Sequence, residues 1–178
     1  MKHLALAGVA LVLVTGCASS LVPVQNYPAT AASAAADARD RMGLSKAVGT
    51  ATESGDGIRL QIAASNLAAG AYGVHLHTTG RCDSPGFESA GGHWNPTSHQ
   101  HGKDSPRGMH KGDLPNLLIG ADGRGTMEVT LPQVSIRGGV NPLLDTDGAA
   151  LVIHAAADDY RTDPSGNSGA RIACGVFR

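Results

Sequence analysis

Large rings are scarce in this sequence. Aromatic residues make up 3% of its 178 positions, with one Trp, three Tyr and two Phe. Against this stand 24 Gly and 9 Pro, a composition that argues against a helical bundle and suits a compact β protein with long loops. Excess charge is also missing: 14 Lys and Arg face 15 Asp and Glu, a net charge of -1. That balance argues against a nucleic-acid or polyanion surface, so any pull on an anionic substrate must come from local positive charge. Cys occurs three times and never as CxxC, which disfavours a redox-active dithiol. No apolar run reaches the roughly 20 residues of a spanning helix, and no repeat occurs at solenoid periods. The length favours one domain.

The first 16 residues have the form of an export signal. Lys2 and His3 precede an apolar run over 4–14, and Val14-Thr15-Gly16-Cys17 closes it. A basic start, a short apolar stretch and small residues before a cut describe a secretory signal, and a Cys at this place is the lipid acceptor of bacterial lipoproteins. We therefore expect a lipoprotein signal peptide over 1–16, lipidation of Cys17, a flexible lipid-anchored linker over 17–32 rich in Ala, Ser, Thr and Pro, and one folded domain over 33–178. Such a protein is periplasmic or on the cell surface, anchored to a membrane through lipid. Ala18 brings no acidic retention signal, which favours the outer membrane in a cell that has one. With Cys17 lipidated, Cys82 and Cys174 are left, and in an oxidising compartment two leftover cysteines usually pair.

Strand signals follow. Gly57-Ile58-Arg59-Leu60-Gln61-Ile62 alternates apolar and polar, with 46–52 a plausible strand before it. Residues 72–77 alternate too, placing Val74 and Leu76 on one face and His75 and His77 on the other. Further strands are expected over 125–131, 149–154 and 171–177. Residues 31–41 read as helix by propensity or as a first edge strand. Residues 79–113 and 159–169 have no sustained period; a loop as long as the first inside a compact domain is usually functional or disordered, and its histidines favour functional. The expected fold is all-β, an antiparallel Greek-key sandwich or flattened barrel with two long functional loops.

Most of the eight histidines lie between His75 and His110. His75 and His77, two apart on a strand, put their imidazoles on one side about 6.5–7 Å apart. His93, His101, His110 and Asp113 supply three imidazoles and one carboxylate, a four-coordinate set suited to zinc. They sit in a loop with little else to fold it, where a metal would supply the ordering energy. His154 ends the apolar strand Leu151-Val152-Ile153. His99 reads as a solvated extra.

The motifs GVHLH at 73–77, GGHWNP at 91–96, HG at 101–102, MHKGDLPN at 109–116, VIHAAADDY at 152–160 and GNSGARIACGVF at 166–177 resemble the copper/zinc superoxide dismutase family, in order and in spacing. The resemblance runs from about residue 31 to the C-terminus. It implies copper bound by His75, His77, His93 and His154, and zinc bound by His93, His101, His110 and Asp113, with His93 bridging both ions. It implies that Asp158 hydrogen-bonds His75 and His101, that Arg171 is the active-site arginine beside copper, and that Cys82 and Cys174 form the family disulfide. The implied cofactors are copper and zinc, and the implied substrate is superoxide, two anions and two protons giving dioxygen and hydrogen peroxide. Arg171 would attract and position the anion, and His93 would pass a proton to product. The segment 159–169 is shorter than the charged loop of the eukaryotic enzymes, which leaves Arg81, Lys103 and Arg161 as candidate steering charges beside solvated surface roles. Relatives occur as monomers and as homodimers, and no interface signal chooses between them. The rival reading is a non-catalytic copper/zinc-binding surface protein, which would keep the ligands but need no Arg171.

Overall fold

In the computed structural model, residues 31–178 are described; the expected signal peptide, Cys17 and nearly all of the linker lie outside them. Nine strands form: β1 Ser33–Arg39, β2 Ser45–Ser54, β3 Gly57–Ala64, β4 Gly70–Tyr72, β5 Val74–His77, β6 Leu117–Ile119, β7 Gly125–Pro132, β8 Ala150–His154 and β9 Arg171–Val176. One sheet runs in the order β5-β8-β9-β1-β2-β3-β7, all its pairs antiparallel, and a second pairs β4 with β6. β4 leads directly into β5, and a tight turn joins β6 to β7 with Gly120 N donating to Arg124 O at 2.9 Å. The small sheet thus brings the two ends of the large one together into a flattened barrel. Among the described residues the helical content is one 3-10 turn, Glu88–Ala90.

The barrel interior sorts side chains by size. The inward positions of β1 and β2 are small: Ala34, Ala36, Ala38, Ala47 and Ala51 are buried. Opposite them stand Leu60, Ile62, Leu76, Leu151, Ile153 and Phe177 in the same core. Small against large is what fills a narrow barrel without voids. At Gly49 the fit is so close that an added Cβ would lie 2.9 Å from Leu151 Cδ2. This also settles residues 31–41: their alternating burial makes a strand, and period-two packing overrides alanine's helix propensity.

The strand over 72–77 is broken at Gly73 into β4 and β5. Two features were not expected from the sequence. The three-residue strand β6 lacks any periodic signal. The irregular stretch 133–149 is a third long connection, which closes one end of the core with buried Val134, Ile136, Leu143 and Leu144.

Candidate metal centre

β5 organises the site. One edge pairs with β8, placing His75 opposite Val152 and His77 opposite Ala150. The other edge carries the long loop: Trp94 N donates to Leu76 O at 2.7 Å, Leu76 N to Gly112 O at 2.9 Å and Thr78 N to Gly92 O at 3.0 Å. Bridges His77–His93 and His75–Asp113 result. Buried Trp94 and Leu114 anchor these two arms in the core, so residues far apart in sequence stand beside His75 and His77. His154 arrives from the end of β8, its N–H donating to Gly73 O at 2.9 Å.

Two cages share one ring. The ligand-capable atoms of His75, His77, His93 and His154 lie within 4.8 Å of one another, all buried. The second cage closes on Asp113. Its Oδ1 is 2.8 Å from His93 Nδ1, 3.1 Å from His101 Nδ1 and 3.0 Å from His110 Nδ1. By proximity His75 could be counted with His93, His101 and Asp113. Its Nε2, however, donates to Asp158 Oδ2 at 2.7 Å, whereas His110 reaches Asp113 directly, so His110 is the fourth member. The His93 ring lies between the sets, its centroid 3.9 Å from that of His75, 5.2 Å from His101 and 5.3 Å from His110.

Hydrogen bonds select which nitrogen each ring offers. His77 Nδ1 donates to Gly91 O at 2.9 Å and His154 Nδ1 to Gly169 O at 3.1 Å. His75 Nδ1 and the Nε2 atoms of His77, His93 and His154 remain buried without a partner. Four unpaired imidazole nitrogens turned to one cavity are costly unless an ion takes them, and four imidazoles are a donor set for copper or zinc. The residues fit two cations.

Asp158 ties the cages together. Its Oδ1 accepts from His101 Nε2 at 3.0 Å and from Tyr160 N at 2.7 Å, while Oδ2 holds His75. Gly166, at φ +62, passes so close that a Cβ there would lie 1.8 Å from Asp158 Oδ1. Electrostatics divide the cages. Burial pushes the first-cage histidines down, His75 to about 3, His77 to about 2 and His154 to about 4, and lowers His93 as well. Burial also works against charge on His101, but the Asp113 and Asp158 carboxylates outweigh it and raise that ring to about 9. Burial alone would raise both carboxylates, yet the histidine hydrogen bonds hold them well below the usual range.

Arg171 is opposite His154 across β8–β9. Its guanidinium donates to Phe87 O and to Gly91 O, both at 2.7 Å. Gly91 O therefore serves Arg171 and His77 together. The Cys82–Cys174 disulfide is formed, Cα atoms 5.6 Å apart and 92 residues apart in sequence, and ties the loop that carries those carbonyls to β9.

The comparisons agree with this geometry. A family model described as copper/zinc superoxide dismutase matches residues 46–177. The superoxide dismutase-like protein YojM of Bacillus subtilis is 50% identical over 124 residues, 68% of this chain and 63% of that protein, just under two thirds of its length. The Cu-Zn superoxide dismutase 1 of Aquifex aeolicus is 43% identical over 128 residues, 71% of this chain and 76% of that protein. The chain belongs to the copper/zinc superoxide dismutase family. Within this oxidoreductase family, whose cofactors are copper and zinc, the fold agrees as well. A crystal structure of a SOD-like protein from Bacillus subtilis covers 80% of this chain and 96% of its own, with a TM-score of 0.76 at 43% identity. The Cu/Zn superoxide dismutase from Brucella abortus gives 0.63 at 27% identity, covering 83% of this chain and 100% of its own.

Of the three candidate steering charges, Arg81 pairs with Asp83 at 2.5 Å and Arg161 lies 3.9 Å from Asp104. Lys103 sits over the Tyr160 ring at 4.4 Å. His99 is exposed, its Nδ1 on Met109 O. Sequence reasoning missed three supports. Asn116 brackets Asp158, its Nδ2 donating to Asp158 O at 2.9 Å and its Oδ1 accepting from Asp158 N at 2.7 Å. Asp163 Oδ1 accepts from His101 N at 2.9 Å. Phe87 supplies its carbonyl to Arg171. Asn116 closes the MHKGDLPN motif and was open to suspicion; a carbonyl contact leaves no mark on residue type.

Proposed function

We propose that this protein dismutes superoxide outside the cytoplasm, using copper held by His75 Nδ1 and the Nε2 atoms of His77, His93 and His154. Zinc would be held by His93, His101 and His110 together with Asp113, whose Oδ1 the three Nδ1 atoms face. The observation that carries the reading is the His93 ring: Nδ1 points to the second cage and Nε2 to the first. When bound, copper supplies the one-electron oxidation and reduction that turn two superoxide anions and two protons into dioxygen and hydrogen peroxide, and zinc supplies a fixed positive charge on the shared ring.

The chain's own residues do the rest. His93 Nε2, whenever copper does not occupy it, would be the atom that holds a proton and passes it to peroxide, while Nδ1, on the side of Asp113, would keep the ring in place. Asp158 and the Gly91 and Gly169 carbonyls hold the other rings in the tautomer that leaves the inward nitrogen free. Arg171, permanently charged and clamped by two carbonyls, draws the anion to the first cage.

The expected signal peptide over 1–16 and lipid on Cys17 would put the enzyme in the periplasm or on the cell surface, anchored to a membrane, with the outer membrane favoured in a cell that has one. The disulfide is of the kind that persists in an oxidising compartment. Decay of pulse-generated superoxide over protein loaded with both metals tests the activity. Accelerated decay that Arg171→Ala slows supports it; a protein that binds both ions without accelerating decay is a metal store instead. Cys17→Ala tests the anchor, and release of the protein from the membrane fraction is the expected result. Wild-type protein already in the soluble fraction would refute it.

A further inference from the structure

None of the three cations that sequence singled out for steering lines the groove that holds Arg171. A different one does. The turn after β1 brings Arg41 to the rim of a groove of about 660 Å³ that is lined by Arg171, Phe87, Lys46, Asp40 and Met42 among others. We propose that Arg41 is a second guanidinium on the anion's path to Arg171 and raises the rate at which superoxide is captured; this rests on the dismutation reading above.

The local charge balance favours the assignment. Asp40 is committed to shaping the turn, its Oδ1 accepting from Met42 N at 2.9 Å and Leu44 N at 3.0 Å. Its other oxygen faces Lys46 Nζ at 3.4 Å. Arg39 on β1 is paired with Asp37. Arg41 is exposed and has no carboxylate within ion-pair distance among the described residues, so its field reaches the groove uncompensated. Three cations line this groove against one carboxylate. A second acidic group also opposes them: Glu88 follows Phe87, whose carbonyl accepts from Arg171, and its charge is felt at Arg171. Superoxide offers few contacts, so capture depends on encounter, which local potential accelerates in a salt-dependent way. One unit charge about 10 Å from the path in water changes the encounter rate about twofold.

The test measures kcat/KM by pulse-generated superoxide across ionic strength for protein loaded with copper and zinc. Arg41→Gln should lose about twofold and Arg41→Glu about fourfold at low salt, with the differences closing as salt rises. Glu88→Gln should gain. Arg59→Gln makes the same net-charge change on the exposed face of β3, away from the groove, and should match wild type; Arg41→Gln matching Arg59→Gln overturns the proposal. A second readout needs no turnover: inorganic phosphate titrated onto the purified protein, whatever its metal content, with the Arg171 side-chain N–H resonance followed by NMR. Weaker phosphate binding in Arg41→Gln, at unchanged melting temperature, supports the groove, and equal binding refutes it. Wild-type protein without dismutase activity would sink the activity reading, leaving the phosphate arm to decide the groove.

Discussion

Asp158→Ala removes the one side chain that holds a ring of each cage. In the native chain Oδ2 orients His75 and Oδ1 orients His101. Loss of such an outer partner typically costs 10- to 100-fold in metal affinity, about 1.4–2.8 kcal/mol per site. The structure says where the loss falls. His75 sits in β5, paired with β8 on one edge and with the loop arms on the other, so its ring keeps most of its orientation. His101 lies in irregular backbone tied down by Asp163 and by Gly102 N, which donates to Asp113 Oδ2 at 2.8 Å. Freed from Asp158, its ring can turn. The backbone bonds between residue 158 and Asn116 survive the substitution, so the loop stays closed. Zinc affinity should therefore fall 10- to 100-fold and copper affinity by less than tenfold. Competition against a chromophoric chelator measures both, best near pH 9, where proton occupancy of His101 weighs least on the comparison. Zinc affinity within threefold of wild type, or copper lost before zinc, would refute the reasoning.

Further outcomes follow from the same geometry. At neutral pH His101 carries a proton in the metal-free protein, so zinc binding releases it and apparent zinc affinity should climb up to tenfold per pH unit until about pH 9. Calorimetry in buffers of different ionisation enthalpy counts that proton, and finding none contradicts it. Stability of the metal-free domain should fall on acidification. His75 and His154 titrate near 3 and 4 when folded against 6.5 when unfolded. The unfolded chain therefore binds more protons, and each ring removes up to about 1.4 kcal/mol per pH unit below 6.5. His101 runs the other way, its contribution full below 6.5 and lost as pH rises through 9; urea midpoints against pH test the sum. Reducing Cys82–Cys174 opens a 92-residue separation and should cost roughly 4–5 kcal/mol on the chain-entropy scale. It should also lower kcat/KM with both metals retained, because the carbonyls that clamp Arg171 belong to the loop set free; unchanged kinetics in the reduced protein would show that the clamp holds without the bond.

How far the sequence carried the fold depends on which physical signal each segment expresses. β3 was legible because Ile58, Leu60 and Ile62 alternate with polar residues and face one core. β1 was ambiguous because alanine favours helix alone, and only the large residues across the barrel explain why small ones are wanted there. β6 went unseen since three residues cannot show a period. The 133–149 connection reads as loop, yet Ile136, Leu143 and Leu144 point inward at irregular spacing, a burial that no periodic template detects. The histidines and Asp113 that gather in the two cages were legible by type and order. Their supports were not: Asp163 acts through a backbone amide of His101, and Phe87 acts through its carbonyl, so neither needs the side chain that a sequence displays.

The two cages also differ in how they meet protons, and that difference predicts the order of metal loss. The first is built from four histidines whose burial disfavours the charged form, so protons compete for the inward nitrogens of His75, His77 and His154 only near pH 4 and below. The second gathers three rings around a carboxylate, and that charge, with Asp158 behind it, makes His101 a good base. A good base is a strong ligand at high pH and a poor one once protonated. Lowering pH from 7 to 5 should thus release zinc while copper stays, with the free His101 proton held between Asp113 and Asp158. His75, His77 and His154 keep their tautomers throughout, because Asp158, Gly91 O and Gly169 O still hold the outer nitrogens. Metal analysis of dialysed samples across this range reads the order directly, and copper leaving first, or both ions leaving together, would show that the shared ring couples the cages more tightly than their separate proton affinities allow.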